Sequence, residues 1–265
     1  MFRTDWSESG HHLDFGFQSV LARELGDLAA SAASQGLAAK VNSVRKDCIG
    51  IALMEKARTS FEAIQVLCRH LFVGDARAII RTMVEAIING AYISNAEDEA
   101  ADSYADFPDF WRWIEIMELR EVWPEIADKI VEGDLGQIRE RHEQVKHRFE
   151  RFKRGEWCAK NLFRRAAHLD SIVGERSPIF RWLINQIWRQ ASSYIHGSPQ
   201  SVGIERNGPD PRSLTQSIPS EAARTLHIAN TVMLVWFCCF GEYLGKGHEK
   251  RLAELMDRMG ASAEA

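Results

Sequence analysis

The sequence predicts an all-α protein: a four-helix bundle core, a charged and aromatic-rich helical insertion within it, and an N-terminal helical arm. Two observations carry that prediction. Apolar residues return at steps of three and four through long stretches, which puts them on one face of a helix. No alternating run bounded by turn residues is long enough to be a strand, and nothing repeats at a fixed period. The composition is compatible with a packed core. The 265 residues are 45% hydrophobic and 26% charged with only 7 prolines, too apolar and too weakly self-repelling for disorder. A net charge of −4 excludes an overall basic nucleic-acid coat protein, while a local basic patch would be hidden in that average.

The first bundle helix is expected over residues 38–73. Val41, Val44, Cys48, Ile51, Met54, Phe61, Ile64, Leu67 and Leu71 form its stripe, and Gly74 is its expected terminator. The second runs over 75–94, with Asp75 as N-cap and Ala76, Ile80, Met83, Val84, Ile87 and Ala91 on one face. So short a link makes the two antiparallel neighbours. A third helix, 178–196, is bounded by the Ser177–Pro178 start signature and by Gly197 and Pro199, with Phe180, Leu183, Ile184, Ile187, Ala191 and Ile195 facing inward. Four prolines within 198–219 predict a long ordered loop or flap before a fourth helix at 220–245. The division expected is an arm over 1–36, helical at about 13–35, and one domain over 37–265 with an insertion at about 96–170.

The insertion is electrically split. Thirteen acids face three bases from Glu97 to Asp134, a net of −10, and ten bases face four acids from Arg139 to Arg165, a net of +6. Either the two halves neutralise each other as a hairpin or the basic half offers a phosphate-binding face, with Lys160, Arg164 and Arg165 as nucleic-acid contacts. Trp111, Trp113, Trp123, Trp157, Phe107, Phe110, Phe149 and Phe152 give this segment apolar anchors of its own.

Other chemistries find little support. Met1–Gly16 is acidic and His-containing rather than basic and then apolar, so it does not read as a signal peptide. Cys48, Cys68 and Cys238, three of five cysteines, sit in apolar helical stretches as small core residues, and a cytoplasmic location is expected. The apolar run Val232–Phe240 is shorter than a membrane span and reads as a buried helix. His142 and His147 stand five apart, so on a helix they diverge by about 140° rather than share a zinc ion. Gly-x-Gly-x-x-Gly, phosphate-loop and Gly-x-Ser-x-Gly motifs are missing, and neither cofactor nor metal is expected.

The third helix gathers the polar candidates. Arg189 projects opposite the apolar stripe, with Asn185, Ser192 and His196 beside it. Arg189 and His196 are seven residues and about 10 Å apart along the axis, a gap that a phosphate could bridge. His196 at a helix C-terminus is favoured as imidazolium. Read structurally, His196 caps the helix and Arg189 meets an insertion carboxylate. Glu85 stands four residues after Arg81, the spacing of a helical ion pair, and could instead orient Arg189 or His196. Tyr194 lies on the edge of the stripe, as a packed aromatic with a bonded hydroxyl or as a site residue.

Two segments, DARAIIRTMVEAIINGAY at 75–92 and SSYIHGSP at 192–199, resemble the signature segments of a bacterial all-helical family catalogued only as a domain of unknown function. The resemblance covers most of 40–245, and Glu85, Tyr194 and His196 match the family's recurring polar positions. More remotely, Arg189 and His196 are similar to the Arg-x(4 to 6)-His motif of the HEPN superfamily (higher eukaryotes and prokaryotes nucleotide-binding). That similarity implies a metal-independent endoribonuclease working as a homodimer, a bacterial toxin or defence effector with RNA as substrate and an antitoxin or other protein as partner. In it His196 would act as general base on the ribose 2′-hydroxyl, and Arg189 would stabilise charge on the phosphate. Two departures stand out: position 190 is Gln where active members carry Asn, Asp or His, and six intervening residues is the long limit of the spacing. The alternative is a non-catalytic helical module that binds a protein or nucleotide through the same face.

Overall fold

The computed structural model describes residues 13–39, 45–125, 135–152, 155–174, 178–195 and 211–262, with backbone alone at 37–39, 211–218 and 261–262. Every regular element among them is helical. In chain order these are α1 (Phe15–Ala39), α2 (Arg45–Arg69), α3 (Val73–Asn95), α4 (Asp98–Val122), α5 (Leu135–Phe149) and α6 (Leu162–Val173). α7 follows as α-helix over Ile179–Trp182, π-helix over Leu183–Trp188 and α-helix again over Arg189–Ile195. α8 (Pro211–Cys239), a 3-10 turn (Gly241–Tyr243) and α9 (Glu249–Ser262) complete the chain.

The expected four-member core of α2, α3, α7 and α8 is not the one that forms. α1 packs against α2 and α8, and α3 against the same two, so the supposed arm is an integral wall of the core. Leu21, Ala22, Leu25 and Ala29 on α1 are fully buried, and Asn230 of α8 donates to the Gln18 side-chain carbonyl at 3.0 Å across that seam. Asp14 starts α1 by accepting the Phe17 N–H. α7 and α6 lie instead on the flank of α3. α3 is thus covered from two sides, which explains its near-continuous burial from Met83 to Ile93. α8 is apolar and long enough over Pro219–Cys239 to cross a membrane, yet most of that stretch is buried inside the protein, around the fully enclosed Trp236.

Several boundaries differ from the expected ones. Gly74 does not end α2; it lies inside α3. The stop is a Schellman turn with Leu71 in the left-handed region (φ 62°). There the Phe72 N–H reaches Leu67 O at 2.9 Å and the Leu71 N–H reaches Cys68 O at 3.1 Å. Asp75 therefore falls in the first turn of α3 rather than at its cap, where it still faces the positive end of the helix dipole. The expected flap at 198–219 is helical from Pro211 onward. Pro219 is accommodated within α8, and the rest of the flap lies outside the described residues. α9 was not foreseen. Leu255 and Met259 bury its inner face, and both Arg251 and Arg258 bond Glu24 of α1, at 2.6 and 2.7 Å. Cys68 is buried as expected, and burial pushes its thiol up to about 12, but Cys48 and Cys238 are exposed.

The insertion takes the hairpin arrangement. Asp106 of α4 bonds both Arg45 of α2 (2.7 Å) and Arg148 of α5 (2.8 Å), and Arg141 approaches Asp109 at 3.8 Å. Inside the hairpin Phe110 stacks on His142 at 5.2 Å, and the His142 Nδ1 sits 3.1 Å from Phe110 O.

Leu71 is 44% exposed, so its side chain contributes little burial while its backbone pays the left-handed cost. Leu71→Gly is expected to stabilise the fold by about 1 kcal/mol in urea denaturation. Burial also holds the His227 imidazole down at about 4. Below pH 6.5 the unfolded chain takes up a proton that the folded one refuses, so stability present above pH 6.5 is lost as pH falls toward 4. Urea midpoints should show His227→Gln losing less than the parent over that window, by up to about 3 kcal/mol.

Candidate functional site

α7 is held in place from both ends. The expected cap at its start, Ser177, lies outside the described residues. Asp170, near the end of α6 and 1% exposed, accepts the Phe180 and Arg181 N–H groups at 2.9 and 3.0 Å and the Arg181 Nε at 2.9 Å. One buried carboxylate thereby joins α6 to the positive end of α7. Phe180, Leu183, Ile184, Ile187 and Ala191 are buried as the helical spacing predicts, whereas Ile195 is 45% exposed. The π turn ends immediately before Arg189, whose N–H reaches back to Ile184 O.

Towards its C-terminal end, α7 is fastened to α3 by a polar seam. Arg77, Arg81 and Glu85 stand at successive steps of four along α3 and so form one stripe. Arg77 donates to the Tyr194 hydroxyl, pairs with Glu221 of α8 and reaches Thr225 at 3.1 Å. Its guanidinium carbon also lies 5.0 Å from the Tyr194 ring centre. Arg81 sits 4.9 Å over the Trp188 ring and 3.1 Å from Glu85, and Glu85 accepts the Trp188 indole N–H at 2.8 Å.

These contacts sort the predicted site residues. Glu85 makes the helical ion pair with Arg81 and anchors Trp188; among the described residues no hydrogen bond joins it to Arg189. Tyr194 is a half-buried aromatic with a bonded hydroxyl, engaged by Arg77. Arg189 is exposed on the far face, as the helical projection requires. It meets an insertion residue of another kind than expected: Phe163 of α6, 5.0 Å from ring centre to guanidinium carbon, with no carboxylate paired to it among the described residues. Phe163 packs edge-on against Trp188 at 5.8 Å. His196 lies outside the described residues, one position beyond the last described residue of α7.

The three expected nucleic-acid contacts separate in the same way. Arg165 is turned inward, 4% exposed, donating to Lys160 O at 2.8 Å, pairing with Glu156 at 3.4 Å and lying 4.8 Å over Trp157, so it presents no charge to a phosphate. Lys160 leans over the Tyr92 ring at 5.3 Å. Arg164 alone of the three is exposed and without a carboxylate partner among the described residues. No three His, Cys, Asp or Glu side chains converge in a metal-binding group there either.

Arg77, Trp188, Phe163 and Asp170 were not singled out by sequence reasoning. For Arg77 the signal existed in its spacing from Arg81 and Glu85. Asp170 acts on a helix that begins nine residues later, beyond the reach of any local capping pattern.

Residues 47–210, more than half of the chain, match a family described as "Family of unknown function (DUF5677)". The chain belongs to this family. No curated protein and no solved structure matches it. The matched region spans α2 to α7 and so includes the α3 stripe, Trp188, Arg189 and Tyr194, while α1 and α9 lie outside it.

Arg77 satisfies three polar partners at a half-buried place. Arg77→Met should cost about 2–4 kcal/mol, because it strands a carboxylate and a hydroxyl. Trp188→Phe, which removes one donor and keeps an aromatic ring, should cost about 1–2 kcal/mol. Thermal or urea unfolding of each variant measures the difference.

Proposed function

We propose that this DUF5677 protein is a HEPN-like, metal-independent endoribonuclease, with Arg189 and His196 as its catalytic residues and RNA as its substrate. The observation that carries the reading is the state of Arg189. It is an exposed guanidinium on a helix fastened to α3, resting on an aromatic ring, with no described carboxylate to neutralise it. A guanidinium of that kind is suited to a phosphate, whose geometry it matches with two parallel donors.

The chemistry needs nothing beyond the chain and the RNA. His196 removes the proton from the ribose 2′-hydroxyl; the 2′-oxygen attacks the adjacent phosphorus; the bond to the 5′-oxygen breaks and that oxygen takes up a proton. Arg189 stabilises the charge that grows on the non-bridging oxygens. The ribose hydroxyl is an internal nucleophile already held beside its target, so one strand ends in a cyclic phosphate. A homodimer would set two α7 helices face to face and double the basic site, as in a toxin or defence effector restrained by a protein partner.

A second reading has its own support. Two of the four predicted site residues, Glu85 and Tyr194, are engaged in fastening α7 to α3, which is what a non-catalytic helical module would need from them. Such a module would bind a partner through the same face without cutting it.

Incubation of total and transfer RNA with the purified protein in EDTA separates the two. On the first reading the parent cuts and leaves cyclic phosphate ends. Arg189→Ala and His196→Ala each then lose roughly two to four orders of magnitude in rate, with unfolding midpoints unchanged. Intact RNA with a folded, dimeric parent protein would favour the binding module.

A further inference from the structure

Beside the α7 site, where α5 ends and α6 begins, lies a cleft of about 570 Å³ lined by Arg151, Phe152, Glu156, Cys158, Asn161 and Arg164. That volume is within the roughly 300–1,000 Å³ of small-ligand sites. Its polar character is less mixed than the residue names suggest. Glu156 is turned to the buried Arg165, 3.4 Å away, and is thereby neutralised. Asn161 caps α6, accepting the Arg164 N–H at 3.0 Å, and the Cys158 thiol donates to Lys160 O at 3.1 Å. Two guanidiniums remain for a ligand. Arg164 has no described carboxylate partner, and among the described carboxylates Arg151 meets Glu99 alone, at 3.8 Å, with both side chains about two-thirds or more exposed and so weakly coupled. Arg151 also lies 5.1 Å over the Phe152 ring, placing a cation and an aromatic face side by side.

The cleft adjoins the α7 site at the first turn of α6. Phe163 and Arg164 are consecutive and both exposed; Phe163 touches Arg189 and Trp188, and Arg164 lines the cleft. Exposed arginines alternating with aromatic rings along one path are what a single nucleic-acid strand requires, with cations for the backbone and flat faces for unstacked bases. A duplex keeps its bases stacked and offers the rings nothing.

We propose that this cleft binds a nucleotide of a single-stranded RNA next to the one held at Arg189, with Arg151 and Arg164 on its phosphate and Phe152 against its base. The proposal rests on RNA being the ligand of the α7 face.

The test is fluorescence anisotropy of the full chain with a short 2′-O-methyl single strand, which cannot be cut because it has no free 2′-hydroxyl. Binding is expected to weaken about tenfold or more in R151A/R164A, and the slope of log K against log salt to shrink by about 1.4, two contacts at about 0.7 each. R151K/R164K, which keeps the point charges, should recover most of that slope. F152A should weaken the single strand and leave a duplex of the same sequence unaffected. Matched thermal unfolding separates these effects from loss of fold, to which exposed residues contribute little. Parent-like affinity and slope in R151A/R164A, or a duplex bound as tightly as the strand, would overturn the cleft. The nuclease reading fails separately. If the parent binds the strand through Arg151 and Arg164 but cuts no RNA, the cleft stands and catalysis falls. If cutting depends on Arg189 and His196 while R151A/R164A keeps an unchanged KM, the cleft falls and catalysis stands.

Discussion

Covering α3 from two sides creates a demand that the rest of the candidate site answers. A helix packed against α2 and α8 on one flank and α6 and α7 on another has little room for a polar side chain without a partner. Its Arg77, Arg81 and Glu85 nevertheless share one stripe, and each is engaged by α7, by α8 or by another member of the stripe. The seam this makes is directional, unlike an apolar contact. An indole N–H must meet Glu85 and a phenol must meet Arg77, so α7 can dock on α3 in one register and at one rotation. The exposure of Arg189 follows from that docking: the face that carries Trp188 and Tyr194 is tied down, and the face opposite is turned out.

The insertion contributes a second constraint, this time through charge. Asp106 is shared by Arg45 and Arg148, which ties α4 and α5 to the start of α2. Individually such half-exposed pairs contribute little, on the order of 1 kcal/mol or less. Their effect is on arrangement, because a strongly acidic helix and a strongly basic one have few other low-energy partners. Trp157, enclosed by Tyr104, Tyr92 and Arg165, then fixes the chain where it enters α6. From there Asp170 hands the constraint on to α7. In the first turn of α6, Phe163 and Arg164 are left to solvent between the buried Leu162 and Arg165, Phe163 touching Arg189 and Arg164 lining the cleft.

Much of this was legible in the sequence, for reasons that differ from element to element. The helical period located α3 and α7 within a few residues and found α2 and α8 with their ends displaced by up to seven and nine residues, because the apolar stripes are long while helix ends carry weaker signals. It did not say which stripes meet. α1 reads as a helical arm at about 13–35, since small residues give a weak stripe, yet Ala22, Ala29, Ala32 and Ala33 are buried where it packs into the core. The end of α2 was misplaced because glycine is the usual left-handed residue and Gly74 stood nearby, while Leu71 adopts that conformation at a cost no local pattern displays. At the site, Arg189 and the Arg81–Glu85 pair were legible from spacing alone. The inward turn of Arg165 was not, because it depends on Trp157 and Lys160 O arriving from a loop with no periodicity.

The arginines of this region make the closing distinction. Arg77 and Arg165 are each surrounded by acceptors and an aromatic face, and a phosphate approaching either would have to displace bonds that hold helices together. Arg164 is the chain neighbour of Arg165 and Arg189 stands on the helix that Arg77 fastens; both carry the same charge, but neither has a described carboxylate to give up. A basic count along the sequence treats all four alike. The fold divides them into two that maintain the architecture and two that can exchange water for a ligand at little cost. An anion drawn to this face would meet the exposed pair first, with Phe163 between them.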